Sequence, residues 1–260
     1  MTDGQSSVLL DIDRGVGWVT MNRPDKMNAL NGLLKRRFAD IFDGLSADDS
    51  VKVVVLTGAG RAFSAGADLN EVHEREVIRR RRETQRDPAN IVRDFQKPVI
   101  AMIRGYALGG GLEIATSCDI RIASDNATLG YPEVRHGWLP AGGGGTQTLP
   151  RIVGPGRAMI IALTGRRYNA RQAFEMGLVD EVHADAEVRT AVAELAREIA
   201  EHRLAALVLI KAGLRMAQEV GLRQGLVYER ELSAIAYQLP DKEEAVQAFF
   251  QQRKPELPNV

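Results

Sequence analysis

The chain has almost no cysteine, no net charge and no long apolar run, and each absence removes a class of protein. Cys118 is the only cysteine among 260 residues, so no internal disulfide framework is available, and this usage fits a reducing cytosol. Lysine plus arginine and aspartate plus glutamate both total 34, which leaves no global basic field of the kind that binds nucleic acid. A local patch would still suffice for a small anionic ligand. No stretch reaches the roughly 18–20 apolar residues that a membrane-spanning helix needs. Residues 1–7 carry neither a basic nor an apolar leader segment, and Asp3, Asp11 and Asp13 argue against a transit peptide. The expectation is a cytoplasmic protein with no membrane or nucleic-acid partner.

Several catalytic motifs are missing as well. Gly105, Gly109, Gly110 and Gly111 lack the Gly-x-Gly-x-x-Gly spacing, and the run at 142–145 ends in Thr146-Gln147, so a dinucleotide site is unsupported. No Gly-Lys-Ser/Thr follows any glycine run. Ala62-Phe63-Ser64-Ala65-Gly66 approximates a nucleophile elbow, but Ala62 stands where the first glycine belongs. His73, His136, His183 and His202 are scattered without metal-ligand spacing, so no metal is expected.

Strand-like and helix-like patterns alternate over the first two thirds. Residues 8–12 and 16–21 are β-branched-rich runs around Asp13-Arg14-Gly15, which predicts a hairpin. Residues 31–45 have helical spacing through Leu33, Leu34, Phe38, Ile41, Phe42 and Leu45. Residues 51–56, 98–103 and 119–123 are compact apolar runs, as in strands buried on both faces. A polar, helix-like segment follows at 71–86, with a basic run at 79–82. From about residue 155 helices take over, at 157–163, 170–176, 185–201, 204–218, 223–236 and 241–251, with Gly165, Gly177, Gly221 and Pro240 as joints. The fold class is α/β, with residues 1–200 as the core and 201–260 as a helical region for packing.

What is conspicuous among these patterns is two glutamates set among glycines. Residues 105–113 place Glu113 in an otherwise apolar helix start, flanked by Leu112, Ile114 and Ala115, and Glu133 follows in Gly130-Tyr131-Pro132-Glu133. Glycine lets a substrate approach main-chain N–H groups that a side chain would shield, so this pattern suggests acid–base chemistry beside exposed amides. Glu133 has an ordinary alternative, a surface ion pair with Arg135.

The ordered set Asn22-Arg23-Pro24, Asn28-Ala29-Leu30, Phe63-Ser64-Ala65-Gly66-Ala67-Asp68-Leu69, Lys97-Pro98-Val99-Ile100-Ala101, residues 105–113, Cys118-Asp119-Ile120 and residues 140–147 resembles the crotonase superfamily, and within it the enoyl-CoA hydratases. The resemblance implies a core spiral of ββα turns, then helices that form a homotrimer or a dimer of trimers. It implies an acyl-CoA thioester substrate and no separate cofactor, coenzyme A being part of the substrate. By motif position the backbone amides of Ala67 and Gly110 would form the oxyanion hole, with Ala65, Asp68, Leu69, Asn70, Gly109 and Lys26 also at the substrate. Glu113 would activate water and Glu133 would protonate the α carbon. The alternatives on this scaffold are an enoyl-CoA isomerase, another acyl-CoA lyase, or a non-catalytic acyl-CoA-binding protein. One departure stands out: the loop at 140–147 is a glycine longer than the commonest form and lies near Glu133 in sequence.

Overall fold

The computed structural model describes residues 6–71, 86–239 and 242–253. The chain opens with the antiparallel hairpin β1 (Val8–Asp13) and β2 (Val16–Met21), turned through Arg14 and Gly15, both at positive φ. Helix α1 (Gly32–Ala47) starts at Asn31, whose side chain accepts from the Leu34 amide and so satisfies one orphan donor. Its Leu34, Phe38, Ile41, Phe42 and Leu45 are buried, while Leu33, expected on the same face, is 51% exposed.

Three successive units then repeat one plan, each giving a strand to a first sheet and a short strand to a second. They are β3 (Val53–Gly58) with β4 (Ala62–Ser64), β5 (Val99–Ile103) with β6 (Tyr106–Leu108), and β7 (Ile120–Ser124) with β8 (Thr128–Gly130). Helices α2 (Pro88–Asp94) and α3 (Gly110–Ser117) follow the first two pairs. A 3₁₀ turn (Pro132–His136), α4 (Gly145–Val153) and α5 (Pro155–Thr164) follow the third. Then β9 (Arg167–Asn169), α6 (Ala170–Glu175) and β10 (Glu181–His183) complete the sheets. The six-stranded sheet runs β1-β2-β3-β5-β7-β10 and the four-stranded sheet β4-β6-β8-β9. This is the expected α/β spiral of ββα turns. The whole four-stranded sheet escapes the sequence reading because its strands are only three residues long, too short for a period of two to declare itself.

The inner strands β2, β3, β5 and β7 of the six-stranded sheet are buried on both faces, which explains the compact apolar runs, whereas the edge strand β1 is mostly exposed. Val54, Leu56, Val99 and Ala101 point into one core with α1 and the second sheet, and their neighbours Val53, Val55, Ile100 and Met102 point into another. That other core is closed by α7 (Val188–Ala200), whose Val188, Val192, Ala196 and Ala200 recur every four residues.

Helices α8 (Leu204–Met216), α9 (Leu222–Tyr237) and α10 (Lys242–Phe250) form the helical tail. α8 is tied to the core electrostatically. The Lys211 ammonium, 7% exposed, donates to the Lys97 carbonyl at 2.7 Å and pairs with Asp119 at 2.7 Å, and Arg215 meets the same carboxylate at 2.9 Å. Ile210, Leu214, Leu222, Leu226, Val227 and Ile235 leave apolar surface exposed on α8 and α9, as do Met159, Ile160 and Leu163 on α5.

Candidate active site

Two backbone loops meet where β4 and β6 end. In the first, Gly66 has φ +92°, and a Cβ there would lie 2.7 Å from the Leu108 carbonyl oxygen and 3.1 Å from the Gly110 nitrogen, so only glycine permits the approach. The Leu30 amide donates to the Gly66 carbonyl at 2.8 Å and the Asp68 amide to the Leu30 carbonyl at 3.3 Å. Between them the Ala67 amide has no acceptor among the described residues. In the second loop Gly109, at φ +54°, precedes α3, and Gly110 is the first residue of that helix. The Gly110 N–H is one of the orphan donors of a helix start, where the helix dipole also favours negative charge. A Cβ built on Gly110 would lie 3.7 Å from the Ala67 nitrogen, so the two donors are neighbours.

One helical turn further along α3, Glu113 is 3% exposed. Its Oε1 accepts from the Gly145 amide at 2.9 Å. Burial raises its proton affinity above the ordinary carboxylate range, while hydrogen bonds from the Gly145 and Gly143 amides pull the other way. The longer glycine loop therefore packs on Glu113. A Cβ on Gly142 would lie 3.2 Å from Oε2 and one on Gly145 3.1 Å from Oε1. The sequence had placed that loop's influence on Glu133, which is nearer along the chain but is not what the loop touches here.

Glu133 sits in the 3₁₀ turn and leans on the second amide loop, its Oε1 2.9 Å from where a Cβ on Gly109 would be. Its Oε2 is buried with no hydrogen-bond partner among the described residues. Burial first, and the charge of Glu113 in addition, push its pKa up to about 7 against an opposing bond from its own backbone. Glu133 Oε2 takes no partner from Arg135 among the described residues, and the Arg135 side chain packs instead near Gly165. Two coupled carboxyls of this kind do not both ionise readily at neutral pH.

Both acids and both amide residues line one cavity of about 190 Å³. Of the residues named from sequence, Ala65, Ala67, Leu69, Gly109, Gly110, Glu113 and Glu133 lie on its wall. Asp68, Asn70 and Lys26 do not. Asp68 is buried and braces the loop: it pairs with Arg23 at 3.0 Å and accepts from the Asn70 side chain at 3.1 Å. Burial alone would raise its pKa, but these hydrogen bonds outweigh it and hold the carboxyl below its usual value. Lys26 is exposed on the turn Pro24–Lys26. Ser64, the imperfect elbow serine, is fully buried and donates to the Asn28 carbonyl at 2.9 Å. The basic run at 79–82 and His73 lie outside the described residues. No group of three metal-ligand side chains occurs among the described residues.

Sequence reasoning missed an ion pair on the cavity wall, Lys35 with Asp87 at 2.8 Å. Asp87 also caps α2 by accepting from the Ala89 amide at 3.2 Å. Asp87-Pro88 is a cap followed by proline at the first helical position, a signal that was present in the sequence. His136, Trp138 and Leu139 also reach the cavity.

Comparison with known proteins agrees with this geometry. The family model for enoyl-CoA hydratase/isomerase matches residues 11–259. Among curated relatives, the 2,3-dehydroadipyl-CoA hydratase of Escherichia coli (strain K12) is 38% identical over 252 residues, covering 97% of this chain and 98% of its own. The short-chain-enoyl-CoA hydratase of Clostridium acetobutylicum is 37% identical over 252 residues, covering 96% of each chain. Among solved structures, an enoyl-CoA hydratase from Bacillus anthracis superposes with a TM-score of 0.92 at 35% identity, covering 98% of this chain and 100% of that one. The match over nearly the full length, in sequence and in fold, shows that the chain belongs to the enoyl-CoA hydratase/isomerase family.

Proposed function

We propose that the chain is an enoyl-CoA hydratase, adding water across the double bond of a 2-trans-enoyl-CoA to give 3-hydroxyacyl-CoA. The observation that carries this reading is the pair of acids, Glu113 and Glu133, on one cavity with two amides that have no acceptor among the described residues. The thioester carbonyl accepts from the Ala67 and Gly110 amides. Glu113 takes a proton from water as its oxygen bonds to C3, and the negative charge passes to the thioester oxygen. Each amide stabilises that oxyanion, and one such donor is worth about 10²–10³ in rate. Glu133, protonated near neutral pH, delivers its proton to C2 and collapses the enolate. The proton held by Glu113 then returns to Glu133 through cavity water, which resets both groups. Coenzyme A enters with the substrate, and the scheme uses no further cofactor and no metal.

The activities named for the two relatives and a cavity of about 190 Å³ fit a short acyl chain. A homotrimer or dimer of trimers would bury the apolar surfaces on α5, α8 and α9. No helix among the described residues is long and apolar enough to cross a membrane, and a cytoplasmic location with acyl-CoA as partner completes the reading.

Incubation with crotonyl-CoA tests it. Loss of the conjugated thioester absorbance with formation of 3-hydroxybutyryl-CoA is expected. Turnover confined to 3-enoyl thioesters would make the chain an isomerase, and binding without turnover would remove catalysis altogether.

A further inference from the structure

We infer that Arg93 is a positioning residue for Glu113: its guanidinium fixes the four-glycine loop so that the Gly145 amide stays aimed at that carboxylate. Residues 142–145 are four consecutive glycines, the residue that loses most backbone freedom on ordering. Left to itself such a loop samples many conformations, yet the Gly145 amide donates to Glu113 Oε1 at 2.9 Å. Something must hold it.

An arginine in the last turn of a helix ordinarily complements the helix dipole from solvent. Arg93, in the last turn of α2, turns inward instead. Its Nη2 donates to the Gly143 carbonyl and, at 2.9 Å, to the Ser117 hydroxyl, while Nη1 donates to the Asn90 side chain at 2.6 Å. The Ser117 hydroxyl in turn donates to the Glu113 carbonyl at 2.9 Å. Hydrogen bonds and the loop's own chain thus close a ring: the Glu113 carboxylate, the Gly145 amide, the Gly143 carbonyl, Arg93, Ser117 and the Glu113 backbone. Packing reinforces it. A Cβ on Gly144, at φ +92°, would lie 3.1 Å from Arg93 Nη2, and one on Gly143 would lie 2.3 Å from Ala89 Cβ. The planar fork serves acceptors on α2, α3 and the loop from two separate nitrogens, a spread that an ammonium, with its three donors on one atom, does not reproduce.

Loss of the clamp should cost Glu113 its bond from the Gly145 amide, which favours its ionised form. The other groups facing it, Asp87 at the start of α2, Lys35 on α1, and Tyr131 and Glu133 beside the 3₁₀ turn, are unchanged by the substitution. The inference rests on the hydratase reading only for its kinetic arm. In Arg93→Met, kcat on crotonyl-CoA is expected to fall about 10- to 100-fold with KM within about threefold, and the acid limb of the kcat–pH profile to rise by about one pH unit. Arg93→Lys should recover part of both. A merely structural arginine would lower the melting temperature and leave the acid limb in place, and that result overturns the inference.

Infrared difference titration of each protein against its Glu113→Gln partner reads the same carboxyl without turnover. If wild type fails to hydrate crotonyl-CoA, the hydratase reading falls, while this titration still decides the role of Arg93. Should Arg93→Met not fold, Ser117→Ala opens the ring from the other side and should move the Glu113 titration in the same direction. An unmoved titration there counts against the clamp.

Discussion

Replacing Glu133 by glutamine removes a carboxyl whose ionisation the fold opposes. Its pKa of about 7 in the folded protein, against an ordinary 4.5, corresponds to about 3 kcal/mol at 1.36 kcal/mol per unit. The residue is partly exposed, and solvent screening brings the expected effect to about 1–2 kcal/mol. Because the folded chain holds this proton more tightly than the unfolded chain, folded molecules carry more protons between about pH 4.5 and 7, and stability falls as pH rises through that window. Glutamine has no such dependence. Urea unfolding of both proteins should therefore show Glu133→Gln gaining on wild type from about pH 5 to about pH 8 by about 1–2 kcal/mol. Hydration by the same variant should fall by about 10²–10⁴, the loss expected for a missing general acid. A stability difference that is the same at both pH values would show that the carboxyl titrates normally and refute the desolvation argument.

Removal of a single amide tests the oxyanion hole. Ala67→Pro replaces with a ring carbon an N–H that makes no internal hydrogen bond among the described residues, and kcat should drop by at least about 10²–10³-fold; an unchanged rate would remove this amide from the chemistry. Gly109→Ala places a methyl 2.9 Å from Glu133 Oε1 at a φ of +54°. Hydration should fall together with stability by about 1–3 kcal/mol, read by calorimetry and initial rates, and full activity would mean that Glu133 has room to move. Asp119→Ala leaves the buried Lys211 ammonium without its carboxylate. The expected cost is about 3–5 kcal/mol of unfolding free energy in urea, and a loss below 1 kcal/mol would show the pair to be solvated.

Much of the scaffold is visible in the residues themselves. The runs that became β3, β5 and β7 are largely apolar on both faces because both faces of these strands are covered, with Thr57, Arg121 and Ser124 as the buried polar exceptions. The helices after residue 155 are legible through their spacing, and joints fall at Gly165 and Gly177, both at positive φ, and at Gly221, the extended residue that starts α9. Helix α2 was missed despite its Asp87-Pro88 start, since only seven residues carry its period. The candidate acids stand out because a carboxylate among Gly, Leu, Ile and Ala is out of place on a solvated helix. The Arg135 alternative for Glu133 could be dismissed only by seeing where Arg135 goes. Asp68 and Asn70, adjacent in sequence to cavity residues, turn away to brace the loop through Arg23.

Sequence alone determined the α/β class, the alternation of buried strands and amphipathic helices, and the identity of the two acids, because period and residue type are local properties. Tertiary structure decided the rest. It made a sheet of three-residue strands by lateral pairing, brought the Ala67 and Gly110 amides together, and laid the extra glycine on Glu113 instead of Glu133. It also raised the proton affinity of both carboxyls, since desolvation depends on which distant segments exclude water from a group and not on its neighbours along the chain.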